Sequence, residues 1–187
     1  MSKWILLAAV AAAPAQAQNV NNLASLASFV NDTRTACSAL ASTHRSSELQ
    51  YIQKMTLDSQ AARQKIRNDV ELYSIGHGSV STDRYRLDLM KAQSEIDREA
   101  IERGMLNNKE RTAEVATCVT DAVPKGKAAY TAFKKGKRAP ADLNLANDMM
   151  TSWLVNIETI SLDKPEGTSE SNESWKRAKA AVELSSP

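Results

Sequence analysis

Ile75-Gly76-His77-Gly78-Ser79-Val80-Ser81-Thr82-Asp83 is the stretch that decides how this chain folds. Two glycines around one histidine make the densest turn signal in the sequence. Ser81, Thr82 and Asp83 behind them are side chains of the kind that cap helix N-termini. Upstream, from Asn19 to Ile75, more than fifty residues pass without a glycine or a proline. Downstream, residues 82–122 contain a single glycine, Gly104, and the stretch meets Pro124. A turn set between two long breaker-free stretches predicts an all-α chain built on a long antiparallel helical hairpin, about 20–75 and 82–122.

Apolar residues recur at helical spacing along both stretches. In the first, Cys37, Leu40, Leu49, Ile52, Met55, Ala62, Ile66, Val70 and Tyr73 keep one phase through the serine-rich patch Ser42–Ser47, which is the weakest point of that helix. In the second, Tyr85, Leu89, Ala92, Ile96 and Ala100 make a face that resumes at Val115, Cys118, Val119 and Ala122. The cysteines discriminate between two topologies. In an antiparallel pair, opposed residues have numbers with a constant total, and Cys37 with Cys118 nearly matches the total set by 75 facing 82 across the turn. If the chain reverses at Ser42–Ser47 instead, the two cysteines are displaced by on the order of 20 Å, whereas a disulfide needs Cα atoms within about 7 Å. A Cys37–Cys118 bond therefore selects one long hairpin, with arms of roughly 60 Å. A broken first helix would give a compact bundle in which the second stretch bends at Gly104.

Beyond Pro124 a basic connector, residues 123–139, leads to Ala139-Pro140-Ala141-Asp142, which reads as a helix start. Leu143, Ala146, Met150, Trp153, Ile157 and Ile160 then form the cleanest apolar stripe in the chain, ending near Lys164-Pro165. A last short helix carries Trp175, Ala178 and Val182 inward. These two helices are too short to cover the arms, so the expectation is a base where they pack on Leu23, Leu26, Phe29, Val30 and Val115, with the upper hairpin standing as a two-helix coiled coil flanked by Arg, Lys, Asp and Glu.

The N-terminus has one positive charge at Lys3, an apolar run from Trp4 to Ala13, and Pro14-Ala15-Gln16-Ala17. This is the pattern of a cleavable secretory signal over residues 1–17, and the run is short of the roughly 20 residues a membrane span needs. Cleavage after Ala17 leaves one helical domain, 18–187, exported to the periplasm or secreted, with no transmembrane segment. Export makes the disulfide credible. Removing Lys3 lowers the formal charge from +2 to +1, and such near-neutrality argues against a dedicated nucleic-acid binder.

No residue constellation carries catalytic, cofactor or metal chemistry. His44 and His77 are the only histidines and are held some thirty residues apart; neither a zinc spacing nor a phosphate-binding glycine loop nor a GxSxG motif occurs. Two segments stand out as interaction surfaces. One is the hairpin tip, Gly76, His77, Gly78, Ser79 and Val80, where stability has no use for an exposed valine. The other is the run Lys125, Lys127, Lys134, Lys135, Lys137 and Arg138, which interleaves Tyr130 and Phe133 and holds no acid. It suits an acidic protein or an anionic envelope surface, or else a solvated link with its aromatics turned inward.

Tyr73-Ser74-Ile75-Gly76 through Val80-Ser81, with Leu89 and Ala92-Gln93 after it, resembles the helical-hairpin repeat of outer-membrane efflux proteins of the TolC type. The resemblance covers about 20 of the 187 residues and implies a similar hairpin geometry; the barrel strands of that family are missing. The sequence thus leads to an exported helical-hairpin protein that binds another protein or an envelope component, as an accessory, assembly or chaperone-like factor. The alternative is an inhibitor or immunity-type protein that neutralises an exported toxin or enzyme through the base around Trp153 and Trp175. An enzyme is disfavoured.

Overall fold

Through the serine patch the first helix does not break. Thr43 Oγ1 donates to the Ala39 carbonyl at 2.9 Å and Ser47 Oγ to the Thr43 carbonyl at 3.0 Å, so these hydroxyls bond back onto the helix that they would otherwise compete with. A computed structural model describes residues 20–185, and the expected signal over residues 1–17 lies outside the described residues. Four α-helices follow in order: α1, Leu23–Ser74; α2, Ser79–Lys135; α3, Pro140–Glu158; α4, Ser169–Ser185. No strand is present among the described residues. The expected all-α hairpin with two shorter C-terminal helices at its base is the observed architecture.

Helix α1 opens on a capping box, with Asn22 Oδ1 accepting from the Ser25 backbone at 2.7 Å and Ser25 Oγ accepting from the Asn22 backbone at 3.2 Å. It pairs with α2 in the register that the cysteines require. Cys37 and Cys118 are bonded, with Cα atoms 5.7 Å apart. Tyr51 lies over Gly104, Ser59 bonds Asp97, and Tyr73 meets Ser81. The two numbers of each pair give nearly the same total, so one register runs from base to tip. The disulfide spans 81 positions of sequence; closing so long a loop restricts the unfolded chain by about 4 kcal/mol on the loop-entropy account.

Three local expectations change. Helix α2 starts at Ser79 with Gly78 as its N-cap and no side-chain cap, so Ser81, Thr82 and Asp83 lie inside the first turns. The arm seam on α2 follows Tyr85, Leu89, Gln93, Asp97, Ala100 and Gly104, which leaves Ala92 exposed and Ile96 58% exposed. Steps of four from Tyr85 bring Asp97 to Ser59 and Gln93, an interior polar layer that outweighs the apolar pull of Ile96. Finally, α2 does not stop at Pro124 but runs through it to Lys135, so most of the expected connector is helix and only Gly136 to Ala139 links α2 to α3. A mid-helix proline forfeits a hydrogen bond and costs about 3 kcal/mol. Burial of Ala122, Gly126, Ala129 and Phe133 against the base offsets it.

That base is the hydrophobic core. Trp153 and Ile157 of α3, Trp175 and Val182 of α4, and Leu26 and Val30 of α1 are fully or almost fully buried with Phe133 and Val115 of α2. Trp153 is seated by two features. Its ring fills the space where Gly126 has no side chain, and its Nε1 donates to the Val30 carbonyl at 2.8 Å. Fully burying such a ring stabilises by about 3 kcal/mol.

Candidate interaction surfaces

The tip is built from an aromatic stack. Tyr73 lies between His77 and Tyr85, with ring centroids 3.7 Å and 4.4 Å away. From the bend after α1, His77 turns back over Tyr73, and its Nδ1 sits 2.9 Å from the Tyr73 carbonyl. Tyr73 Oη and Ser81 Oγ, 3.0 Å apart, tie the two arms. Outside this platform stand Ile75, 81% exposed, and Val80, 83% exposed. A side chain added at Gly76 or Gly78 would meet nothing within 4 Å, and neither glycine has the positive φ that would require it. The tip is stacked on Tyr73 and open where Ile75 and Val80 project.

Below the tip the arms carry most of the exposed apolar surface. Besides Ile75 and Val80 at the tip, ten of the fourteen exposed large apolar residues fall on the arms between Leu49 and Leu106, and only Val155 and Leu184 lie elsewhere among the described residues. An open groove near the shoulder is lined by Tyr51, Ile52, Met55, Ile101 and Met105. Another near the tip is lined by Ile66, Val70 and Met90 under Arg63, Arg67 and Arg86. Between them Asp97 accepts from Ser59 Oγ at 3.1 Å and from Gln93 Nε2 at 2.8 Å, with Arg63 at 4.0 Å. Arg98 bridges Glu95 and Glu102 on the α2 surface; hydrogen bonding to Arg98, then its charge, holds the Glu95 carboxyl below its ordinary range.

The basic run occupies the last turns of α2 and the link after it. Phe133 is fully buried and Tyr130 half-buried, its hydroxyl donating to Asn147 Oδ1 at 3.2 Å. Arg138 folds back, with its guanidinium 4.7 Å from the Phe133 ring centroid and Nε donating to the Phe133 carbonyl. Lys134 lies over the Tyr130 ring at 4.7 Å. Lys134 and Lys135 also stand at the negative end of the α2 dipole, which favours them. Lys125, Lys127, Lys134, Lys135 and Lys137 remain exposed. The segment is thus both helix end and cationic surface, with one of its six charges returned to the fold.

A polar clasp at the base has no counterpart among the sequence expectations. Arg34 is 7% exposed. Its Nε donates to Asn156 Oδ1 at 2.5 Å, and its Nη2 to Glu166 Oε2 at 2.7 Å and Asn172 Oδ1 at 2.9 Å. Ser38 Oγ donates to the other Glu166 oxygen at 2.7 Å. Asn156 Nδ2 donates to the Glu166 carbonyl and to Ser171 Oγ. Gly167, at φ 82°, carries the loop over Asn156, Thr159 and Ser171, where any Cβ would collide. The hydrogen bond from Ser38, then that from Arg34, lowers the Glu166 pKa. A buried arginine bonded through Nε and Nη2 to α3, the loop and α4 fastens the C-terminal unit to α1. The sequence signal was Arg34 itself, in phase with Val30, Ser38 and Ala41 on the inward face of α1.

His44 and His77 are far apart, at the shoulder and the tip. His44 Nε2 lies 2.7 Å from Glu114 Oε2, close but not aligned as a hydrogen bond. No group of three metal-ligating side chains forms among the described residues, and none of the described helices is long and apolar enough to cross a membrane. No family model, curated protein or solved structure matches the chain.

Proposed function

We propose that this is an exported, periplasmic helical-hairpin protein that binds another protein through its tip, as an accessory, assembly or chaperone-like factor of a secretion or envelope system. The observation that carries the reading is the pair Ile75 and Val80, the first 81% and the second 83% exposed, displayed on a stacked Tyr73–His77–Tyr85 platform at the end of a disulfide-registered hairpin. Apolar groups so placed contribute nothing to the core and are available to a partner. The lysines at the end of α2 offer a second contact, to an acidic protein or an anionic envelope surface.

The inhibitor or immunity-type alternative would work through the base. Trp153 and Trp175 are buried, so that reading has Val155 and Leu184 for its apolar contacts instead. Affinity capture from the periplasmic fraction, with wild type beside Ile75→Asp/Val80→Asp and Lys134→Glu/Lys135→Glu, separates the readings. The tip variant is expected to lose at least tenfold of the co-captured protein with its helicity unchanged. Recovery undiminished by the tip variant would overturn the tip, and a single toxin or hydrolase recovered one-to-one through the base would favour the alternative.

A further inference from the structure

We propose that the open apolar face of the arms is covered by a second copy of this chain, laid antiparallel, so that two hairpins form a four-helix bundle between two bases. The two grooves line up along the hairpin, Tyr51, Ile52, Ile101 and Met105 near the shoulder and Ile66, Val70 and Met90 near the tip, and a two-helix layer with an apolar face is half of a four-helix bundle.

Charge sets the direction. In the distal half of the arms, residues 63–91, there are six basic and four acidic residues, so the net charge is +2; in the proximal half, residues 44–62 with 92–114, there are six basic and eight acidic, a net −2. On the grooves themselves the distal one has Arg63, Arg67 and Arg86 against Glu71, whereas the proximal one is neutral, with Glu48 and Arg111. A parallel pair would set three guanidiniums of one copy against three of the other. An antiparallel pair sets each basic groove against the neutral groove of the half that carries the acid excess.

Length agrees. The shoulder, where Arg45 donates to the Asp163 carbonyl, stands some 30 residues from the tip, about 45 Å of helix. The Ser59–Asp97 layer lies about midway. A two-fold axis through that layer carries each tip to the level of the other copy's His44 and Glu114, just short of the base, so the arms overlap over their whole free length. A face of about 45 Å by the width of two helices, about 18 Å, buries roughly 800 Å² per copy, the amount a specific interface needs. Ile75 and Val80 stay at the ends of the assembly, so this pairing does not depend on what the tip binds.

Sedimentation of the purified disulfide-bonded chain, with no other protein present, tests the pairing. A dimer is expected, and Ile101→Lys/Met105→Lys, which sets new positive charge against the other copy's distal arginines at positions 51% and 68% exposed in one copy, is expected to weaken it at least tenfold with helicity and melting of the single chain unchanged. Nitroxide labels at Ala61→Cys, on the outer face away from the grooves, and at Val80→Cys read the direction: the Ala61 pair is expected at on the order of 25 Å and the Val80 pair beyond ~50 Å. A monomer at about 100 μM, far above a specific dimer's usual dissociation constant, would overturn the pairing. So would a dimer indifferent to the groove substitutions, or one whose Val80 labels lie closer than its Ala61 labels.

Discussion

A Cβ at Gly126 would stand 2.2 Å from Trp153 Cη2, and one at Gly76 or Gly78 would touch nothing. Glycine therefore means different things at these positions. At Gly126 it is the socket of the base, and Gly126→Ala forces the indole out of its seat, costing about 1–3 kcal/mol of overpacking against a smaller gain in helix propensity. Gly76→Ala/Gly78→Ala should leave the melting temperature unchanged or slightly raised, since alanine only narrows the unfolded ensemble. Equal losses at both places, measured by thermal unfolding, would contradict this reading. The same scale holds the pH dependence. Glu166 has its carboxyl pKa below the ordinary 4.5, so its bonds to Ser38 and Arg34 stabilise the fold fully above that value and are lost as pH falls through the lowered one. Being more than half exposed, it contributes modestly. Between pH 6 and pH 3 wild type is expected to lose more stability than Glu166→Gln; parallel melting curves would show that the clasp does not titrate.

At the scale of the helix, Pro124 separates local from tertiary control. Read alone it ends a helix, and the expected stop at 122 followed from that. The structure continues α2 because Gly126, Ala129 and Phe133 beyond it are buried by α3, a contact between residues that no local pattern pairs. The proline's cost remains in the helix, so Pro124→Ala is expected to raise stability by about 1–3 kcal/mol, read as a higher denaturant midpoint at unchanged slope. A lower midpoint would mean that the ring is a needed packing element. Long-range pairing also explains the other departures. The seam through Gln93 and Asp97 becomes visible once Ser59 is set opposite, and the inward Arg34 makes sense only with Asn156, Glu166 and Asn172, more than a hundred positions away. By contrast the turn, the α3 stripe and the cysteine register are written in near-neighbour spacing or in one pair of numbers, and are legible in the sequence. The tip was legible as a turn; its three-ring stack was not, because it needs both arms.

At the scale of the molecule, shape is the claim. A base of four helix segments, closed around Trp153 and Trp175 and clasped by Arg34, holds one end of a hairpin whose other end, among the described residues, packs only on itself. The disulfide sits where the arms leave the base, and Tyr51 over Gly104 continues the register outward. Exposed apolar groups are concentrated on the projecting part, which is why both the proposed partner contact and the proposed self-pairing are placed there. Both depend on α1 and α2 being unbroken, and α2 with its 57 residues is about 85 Å long. Small-angle scattering from the chain at concentrations dilute enough to be monomeric measures this directly. A radius of gyration of about 25 Å is expected, from a rod of that length. A value of about 15–16 Å, that of a compact domain of this size, would contradict it.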